Sequence, residues 1–132
     1  MKAIIEHLIV AVIAVGMCVV GFWLIGWHNG TGDMGILPYE PGWTIQKFTV
    51  SILTWIWLYR RGRNLAWFVL PILGLVSPFI GAVLFIYPYF FWPWVVLCHH
   101  AIVIFPTGLV CGLLVSVATL PFRPPQVVCG NA

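Results

Sequence analysis

Charged and apolar positions fall along this chain in long blocks, and these blocks predict the helices. No Asp, Glu, Lys or Arg occurs from Leu8 to Gly32 or from Asn64 to Phe122. A helix that crosses a bilayer needs about 20 apolar residues at a rise of about 1.5 Å each. The first block therefore accommodates one span. The second accommodates two, separated by an aromatic stretch at 85–94 that suits a hairpin in the headgroup region.

The segment between the two blocks allows two interpretations. Residues 28–43 contain glycines, prolines and two of the three acids, a composition typical of a loop. The apolar part of the next segment is short, so residues 44–59 could form an amphipathic helix along the membrane surface. The other interpretation is a span over 43–60 whose terminal cations extend toward the headgroups.

The distribution of basic residues favours the span. With four spans, Lys47 lies near one side of the membrane and the five other basic residues lie on the opposite side. Basic residues are enriched on the cytoplasmic side, so both chain termini are expected there. The alternative with three spans and a surface helix at 44–59 loses most of this asymmetry.

The fold class predicted from these patterns is an all-α integral membrane protein of a cell's inner or plasma membrane. Its four transmembrane helices are expected at about 4–27, 43–60, 65–87 and 94–120. They form a single domain, 1–120, and residues 121–132 form a short proline-containing cytoplasmic tail. The first apolar stretch is longer than the 7–15 residues or so of a secretory signal core, so a retained helix is expected.

Composition excludes the other broad classes. The chain is 62% hydrophobic and 7% charged, with a mean hydropathy of +1.06. A soluble domain is about 45–50% apolar and about a quarter charged, and disordered chains are poorer still in apolar residues. These values exclude a soluble globular domain and a disordered chain.

Small residues recur at helical spacing in three of the predicted spans. In lipid, helices associate through small residues that let their backbones approach, so these positions predict helix packing. The packing candidates are Ala14 and Gly21 in the first span, Gly74 and Gly81 in the third, and Gly108 and Gly112 in the fourth.

The second span carries a polar stripe, formed by Thr44, Lys47, Ser51 and Thr54. In the favoured interpretation, the hydroxyls bond to their own helix while Lys47 reaches the headgroups. In the other, the stripe faces a pore, a polar ligand or a partner protein.

The pair His99-His100 is the most specific polar feature inside a predicted span. Adjacent side chains on a helix diverge by about 100°, so one of the two faces inward. His100 shares a face with Thr107 and Cys111 and is the inward candidate. A neutral imidazole there could bind haem or (bacterio)chlorophyll, or could simply bond to a neighbouring carbonyl. The second reading is favoured, so no cofactor is predicted.

Other chemistry has little support in the sequence. An acid at membrane depth, such as Glu6, can indicate proton or cation coupling. Glu6 follows Lys2 by four residues, however, a spacing that allows an interfacial ion pair on the same helix, so a simple interfacial cap is favoured. The four cysteines lack the spacing of redox or metal sites, and no catalytic motif occurs, so an enzyme is not expected. The basic cluster at 60–63 is too small for nucleic acid and suits anionic headgroups or an acidic patch on a neighbour.

The expected function is therefore that of a non-catalytic integral membrane subunit that packs within a larger complex, as a structural, assembly or anchor element. One alternative is a small homo-oligomeric transporter or channel built around the polar stripe. Another is a haem- or pigment-binding anchor that uses His100. The expected partners are the lipid bilayer and other membrane subunits or further copies of the chain, and not nucleic acid.

Overall fold

A computed structural model of the protein describes residues 1–28, 30, 41–81, 83 and 93–123. Four α-helices and one turn of 3-10 helix account for most of these residues, which confirms the predicted all-helical class. In chain order they are α1, Lys2–His28; α2, Pro41–Gly62; α3, Val69–Gly81; α4, Pro93–Ala118; and the 3-10 turn η1, Leu120–Phe122.

The largest difference from the predicted boundaries is at the start of α3. The span was expected from about 65, but the helix begins at Val69. Residues 63–68 form turns instead, in which the Leu65 N–H donates to the Gly62 carbonyl at 3.1 Å. The Val69 N–H then donates to the Ala66 carbonyl at 2.9 Å. The predicted end of the third span at about 87, most of the hairpin at 85–94, most of the loop at 28–43 and the tail beyond 123 lie outside the described residues.

Helix α2 lies antiparallel alongside α1. Contacts between the two helices occur near both ends and in the middle of α1. From the N-terminal to the C-terminal end of α1, they are Glu6 with Tyr59, Ala14 with Ser51, and Phe22 with Phe48. Because these contacts follow most of the length of α1, α2 stands beside that helix and does not lie across its end.

Helices α3 and α4 approach each other closely enough for their backbones to touch. A Cβ atom placed on Gly74 would overlap the carbonyl oxygen of Gly108, and one placed on Gly108 would overlap the carbonyl oxygen of Gly74. One turn further, a Cβ on Gly112 would lie 2.7 Å from the Cα of Pro71. Only glycine permits such an approach, since every other residue carries the Cβ.

The core is a small apolar cluster to which all four helices contribute. Its buried members are Val10, Ala14, Trp55, Tyr59, Leu70, Cys111 and Val115. Large apolar side chains also cover the outside of the bundle, including Val12, Trp27, Ile72, Ile102 and Val117. Among the described residues, two stretches, Lys2–His28 and His100–Ala118, are long and apolar enough to cross a membrane.

The glycine contact gives a direct test of the packing. We expect Gly108→Ala to lower the free energy of unfolding by about 1–3 kcal/mol, because the new methyl group must displace the backbone of α3. Thermal unfolding in one mild detergent, followed by circular dichroism, measures this change.

Gly16→Ala is the matched control for this prediction. A Cβ at Gly16 meets nothing within 4 Å. Alanine is favoured over glycine in a helix by roughly 0.5–1 kcal/mol, so this variant should be neutral or slightly stabilised. Equal effects of the two substitutions would contradict the backbone contact between α3 and α4.

Candidate functional site

The carboxylate of Glu6 is buried among the helices. Glu6 exposes 2% of its surface, and its Oε1 accepts a hydrogen bond from the hydroxyl of Tyr59. The same oxygen lies 2.9 Å from Nη2 of Arg63, which follows α2 directly. A carboxylate removed from water is stable only when charge and hydrogen bonds replace its hydration. These two partners from α2 and its C-terminal turn supply that replacement.

Arg63 also connects α2 to the end of the chain's last described segment. Its Nη2 donates to the carbonyl of Phe122, in η1, at 3.3 Å. Its side chain is 32% exposed, so part of the guanidinium still faces the surroundings. A single arginine therefore contacts both α1 and the segment that follows α4.

A second arginine extends this network. Nη2 of Arg123 donates to the hydroxyl of Ser116 at 2.9 Å and to the Ser116 carbonyl at 3.3 Å. The Ser116 hydroxyl donates in turn to the carbonyl of Trp67 at 3.0 Å. These bonds attach the turn between α2 and α3 to the C-terminal end of α4.

Together these contacts define what we call the basic end of the bundle. It consists of Glu6, Tyr59, Arg63, Ser116 and Arg123, with the exposed Arg60 and Arg61 beside it on α2. In the part of the chain that the structure describes, Glu6 is the one carboxylate. Each of the two network arginines has a buried Nε atom for which the described residues offer no acceptor.

The expected ion pair between Glu6 and Lys2 is wrong. Glu6 shares the buried face of α1 with Val10 and Ala14, so its carboxylate points into the bundle, where the guanidinium of Arg63 reaches it. Lys2 stays exposed at the start of the helix. A buried carboxylate is stabilised more by a neighbouring guanidinium in the same low-dielectric region than by an ammonium in water.

Part of the polar stripe on α2 faces the inside of the bundle. Ser51 donates to the Ala14 carbonyl of α1 at 3.4 Å, and not to its own helix. The ammonium of Lys47 lies 4.8 Å from the centre of the Phe22 ring, also on α1. These two members of the stripe therefore face α1.

A third member of the stripe faces α3. Thr54 is buried, and a Cβ placed on Gly81 would lie 3.3 Å from its Oγ1. The glycine thus gives room for the threonine hydroxyl. The side chain of Thr44, the fourth member, lies outside the described part of the structure.

His100, the candidate position for a cofactor, lies on the face of α4 that meets α1. His100 is half-buried. On the same face, a Cβ at Gly21 of α1 would lie 3.4 Å from the Thr107 methyl group, and Cys111 is buried. The side chain of His99 is outside the described residues. Within the described residues, no three His, Cys, Asp or Glu side chains come together as a metal site would need.

Sequence reasoning did not single out Tyr59, Ser116 or Arg123, and it treated Arg63 only as part of the basic cluster at 60–63. One signal was present: the inferred topology placed the basic residues at 60–63 and 123 on the same side as Glu6. A lone acid among these cations indicates a contact between them, although the pattern alone does not say which arginine makes it.

Comparisons of this chain with protein-family models, with curated proteins and with solved structures find no match. The geometry described above is therefore the basis for a functional proposal.

The ion pair at the basic end can be tested by a double-mutant cycle. We expect Arg63→Gln to lower the free energy of unfolding by about 1–3 kcal/mol, because the buried carboxylate loses its charged partner. The double variant with Glu6→Gln should lose less than the sum of the two single variants, by about 1 kcal/mol. Reversible unfolding in detergent mixtures gives these values.

Lys2→Gln serves as the control for that cycle. It removes the cation that the sequence pairs with Glu6, yet its effect should stay within about 0.5 kcal/mol. Additive effects of Glu6→Gln and Arg63→Gln, or coupling of Glu6 to Lys2 instead, would contradict the geometry of the basic end.

Proposed function

We propose that the protein is an integral membrane protein whose four helices all cross the bilayer. The antiparallel contacts of α2 along α1 support this, because a helix held against most of a spanning helix spans with it. The short α3 packs backbone to backbone against α4, which supports a crossing for α3 on the same ground.

The outer surface of the bundle supports the same proposal. In the most apolar stretch of α1, only 11% of the residues are buried, and in that of α4 the share is 28%. Most residues of both helices therefore keep part of their surface exposed, and large apolar side chains so exposed are stable in lipid or against another membrane helix. Soluble monomers rarely expose apolar patches on this scale.

Within the membrane, we propose a non-catalytic role as a subunit of a larger assembly. The observation that carries this proposal is the use of polar and small residues inside the bundle. Glu6 is neutralised by Arg63, Ser51 and Thr54 face neighbouring helices, and glycines bring α3 against α4. The bundle is thereby a preformed body whose outward faces are available for contacts with other subunits.

The same observation ranks the transporter alternative second. A pathway between copies of the chain would need the polar stripe of α2 to face outward. Ser51 instead donates to α1, and Thr54 lies against α3. The described part of the stripe therefore supports packing within one bundle.

Purification of the protein from its native membrane tests the subunit proposal. In a mild detergent, we expect a particle much larger than the 14.8 kDa chain, containing other membrane proteins in fixed stoichiometry. Native mass spectrometry identifies the partners and their ratio. A homogeneous particle that contains this chain alone would contradict the proposal.

A pair of variants separates specific partners from proteins that bind misfolded chains. Gly108→Leu should lose the partners, because it disrupts the contact of α3 with α4 that they require. Gly16→Leu places the same side chain where its Cβ meets nothing within the bundle. This second variant should keep the fold, so loss of partners from a stably folded Gly16→Leu protein would place the interface on the outer face of α1.

A further inference from the structure

We propose that the basic end of the bundle binds the phosphate group of an anionic lipid, held between the guanidiniums of Arg63 and Arg123. This inference rests on the proposed location in a membrane. It replaces the general attraction of the cluster at 60–63 to anionic headgroups with a specific site formed by two named side chains.

The Arg63 guanidinium is anchored to the segment of chain that carries Arg123. Nη2 of Arg63 donates to the carbonyl of Phe122, and Arg123 is the next residue. Nη2 of Arg123 is held by Ser116, whose hydroxyl is itself bonded to Trp67, four residues after Arg63. The two side chains are thus positioned by the structure and do not simply extend from a mobile surface.

The charges at this site are not balanced within the described residues. Glu6 compensates Arg63, but Arg123 donates to a neutral hydroxyl and a neutral carbonyl. A half-buried guanidinium with neutral partners keeps its full positive charge in a region of reduced dielectric. The buried Nε atoms of both arginines also have no acceptor among the described residues. An added anion would compensate this excess charge.

The chemistry of arginine favours phosphate as that anion. The planar guanidinium presents a fork of N–H donors that matches two phosphate oxygens. The side chain of Arg63 is 32% exposed, so a ligand can reach it from outside the bundle. The exposed Arg60 and Arg61 add attraction at longer range.

The position of the site favours a lipid as the source of the phosphate. The C-terminal end of α2, the turn that follows it and the end of α4 meet here, at one end of the apolar bundle. Exposed Trp57 and Trp67 lie on the same segments, and tryptophan concentrates at the level of the headgroups. Cytoplasmic leaflets carry anionic lipids at that level, and clusters of basic residues beside a span recruit them.

Native mass spectrometry of the full chain from nanodiscs tests this proposal. The nanodiscs contain phosphatidylglycerol and phosphatidylcholine in equal amounts. We expect the wild-type protein to retain phosphatidylglycerol selectively, and Arg123→Gln to lower that selectivity by about tenfold. Arg123→Lys keeps the charge but not the fork, so its selectivity should fall between those of the other two proteins.

Arg61→Gln is the matched control, because it removes the same charge from an exposed side chain that packs over the Trp57 ring. Its selectivity should change less than about threefold. Equal losses of lipid selectivity in Arg61→Gln and Arg123→Gln would overturn a specific binding site and leave only general electrostatic attraction to anionic lipid. Circular dichroism of each variant in the same nanodiscs confirms that the helices are intact.

Added inorganic phosphate distinguishes the two sources of the ligand. We expect millimolar phosphate to leave the bound lipid in place, since free phosphate lacks the lipid's anchorage in the bilayer. Displacement of the lipid by phosphate would overturn a lipid site in favour of a free-anion site. Unchanged lipid selectivity in Arg123→Gln, together with loss of a protein partner from the native assembly, would overturn it in favour of an acidic protein contact.

Failure of this inference is separable from failure of the proposed function. A protein that enters nanodiscs and resists alkaline extraction from membranes, but retains no lipid selectively, contradicts the lipid site alone. A protein released from membranes by alkaline extraction contradicts the membrane location itself and, with it, this site.

Discussion

The burial of one carboxylate constrains the whole architecture. Glu6 lies on the inward face of a helix whose other inward residues are apolar, so its charge must be compensated by groups from other helices. Tyr59 and Arg63 provide that compensation, and their positions determine which end of α2 lies beside the start of α1. Through its bond to Phe122, Arg63 then brings the end of the last helical segment to the same place. An apolar bundle has few specific contacts, and this polar end supplies one that fixes helix direction and register.

The rest of the bundle follows a different physical rule. Away from the basic end, the close contacts depend on small residues, and α3 and α4 meet where Gly74 and Gly108 remove both Cβ atoms. Small residues bring backbones together in lipid, where burial of apolar area gives little net attraction between helices. Polar groups thus specify which helices meet, while glycines set how closely they pack. This combination gives a bundle with apolar outer faces, which is what the proposed role as a membrane subunit requires.

Much of the fold could be predicted from the sequence, because long uncharged blocks leave few alternatives to helices. The asymmetry of basic residues also favoured α2 as a helix antiparallel to α1, which its contacts with Ala14 and Phe22 support. The candidate site was harder to predict from the sequence. Helix spacing pairs Glu6 with Lys2 and gives no information on partners more than 50 residues away in the chain. The start of α3 was predicted four residues too early, because hydropathy does not register the turns that close against Gly62 and Ala66.

The most direct test of this account is whether α2 lies against α1 inside the membrane. Ser51 donates to the Ala14 carbonyl, and Cys18 lies one helical turn after Ala14 on α1, so Ser51→Cys places a second thiol near a native one. After oxidation in intact membranes, mass spectrometry of peptides should detect a disulfide, within a single chain, between Cys18 and the thiol introduced at position 51. Thr49→Cys, on the exposed side of α2, should form no such bond. If Ser51→Cys remains reduced, or pairs no faster than Thr49→Cys, α2 does not stand beside α1 and the four-helix arrangement is wrong.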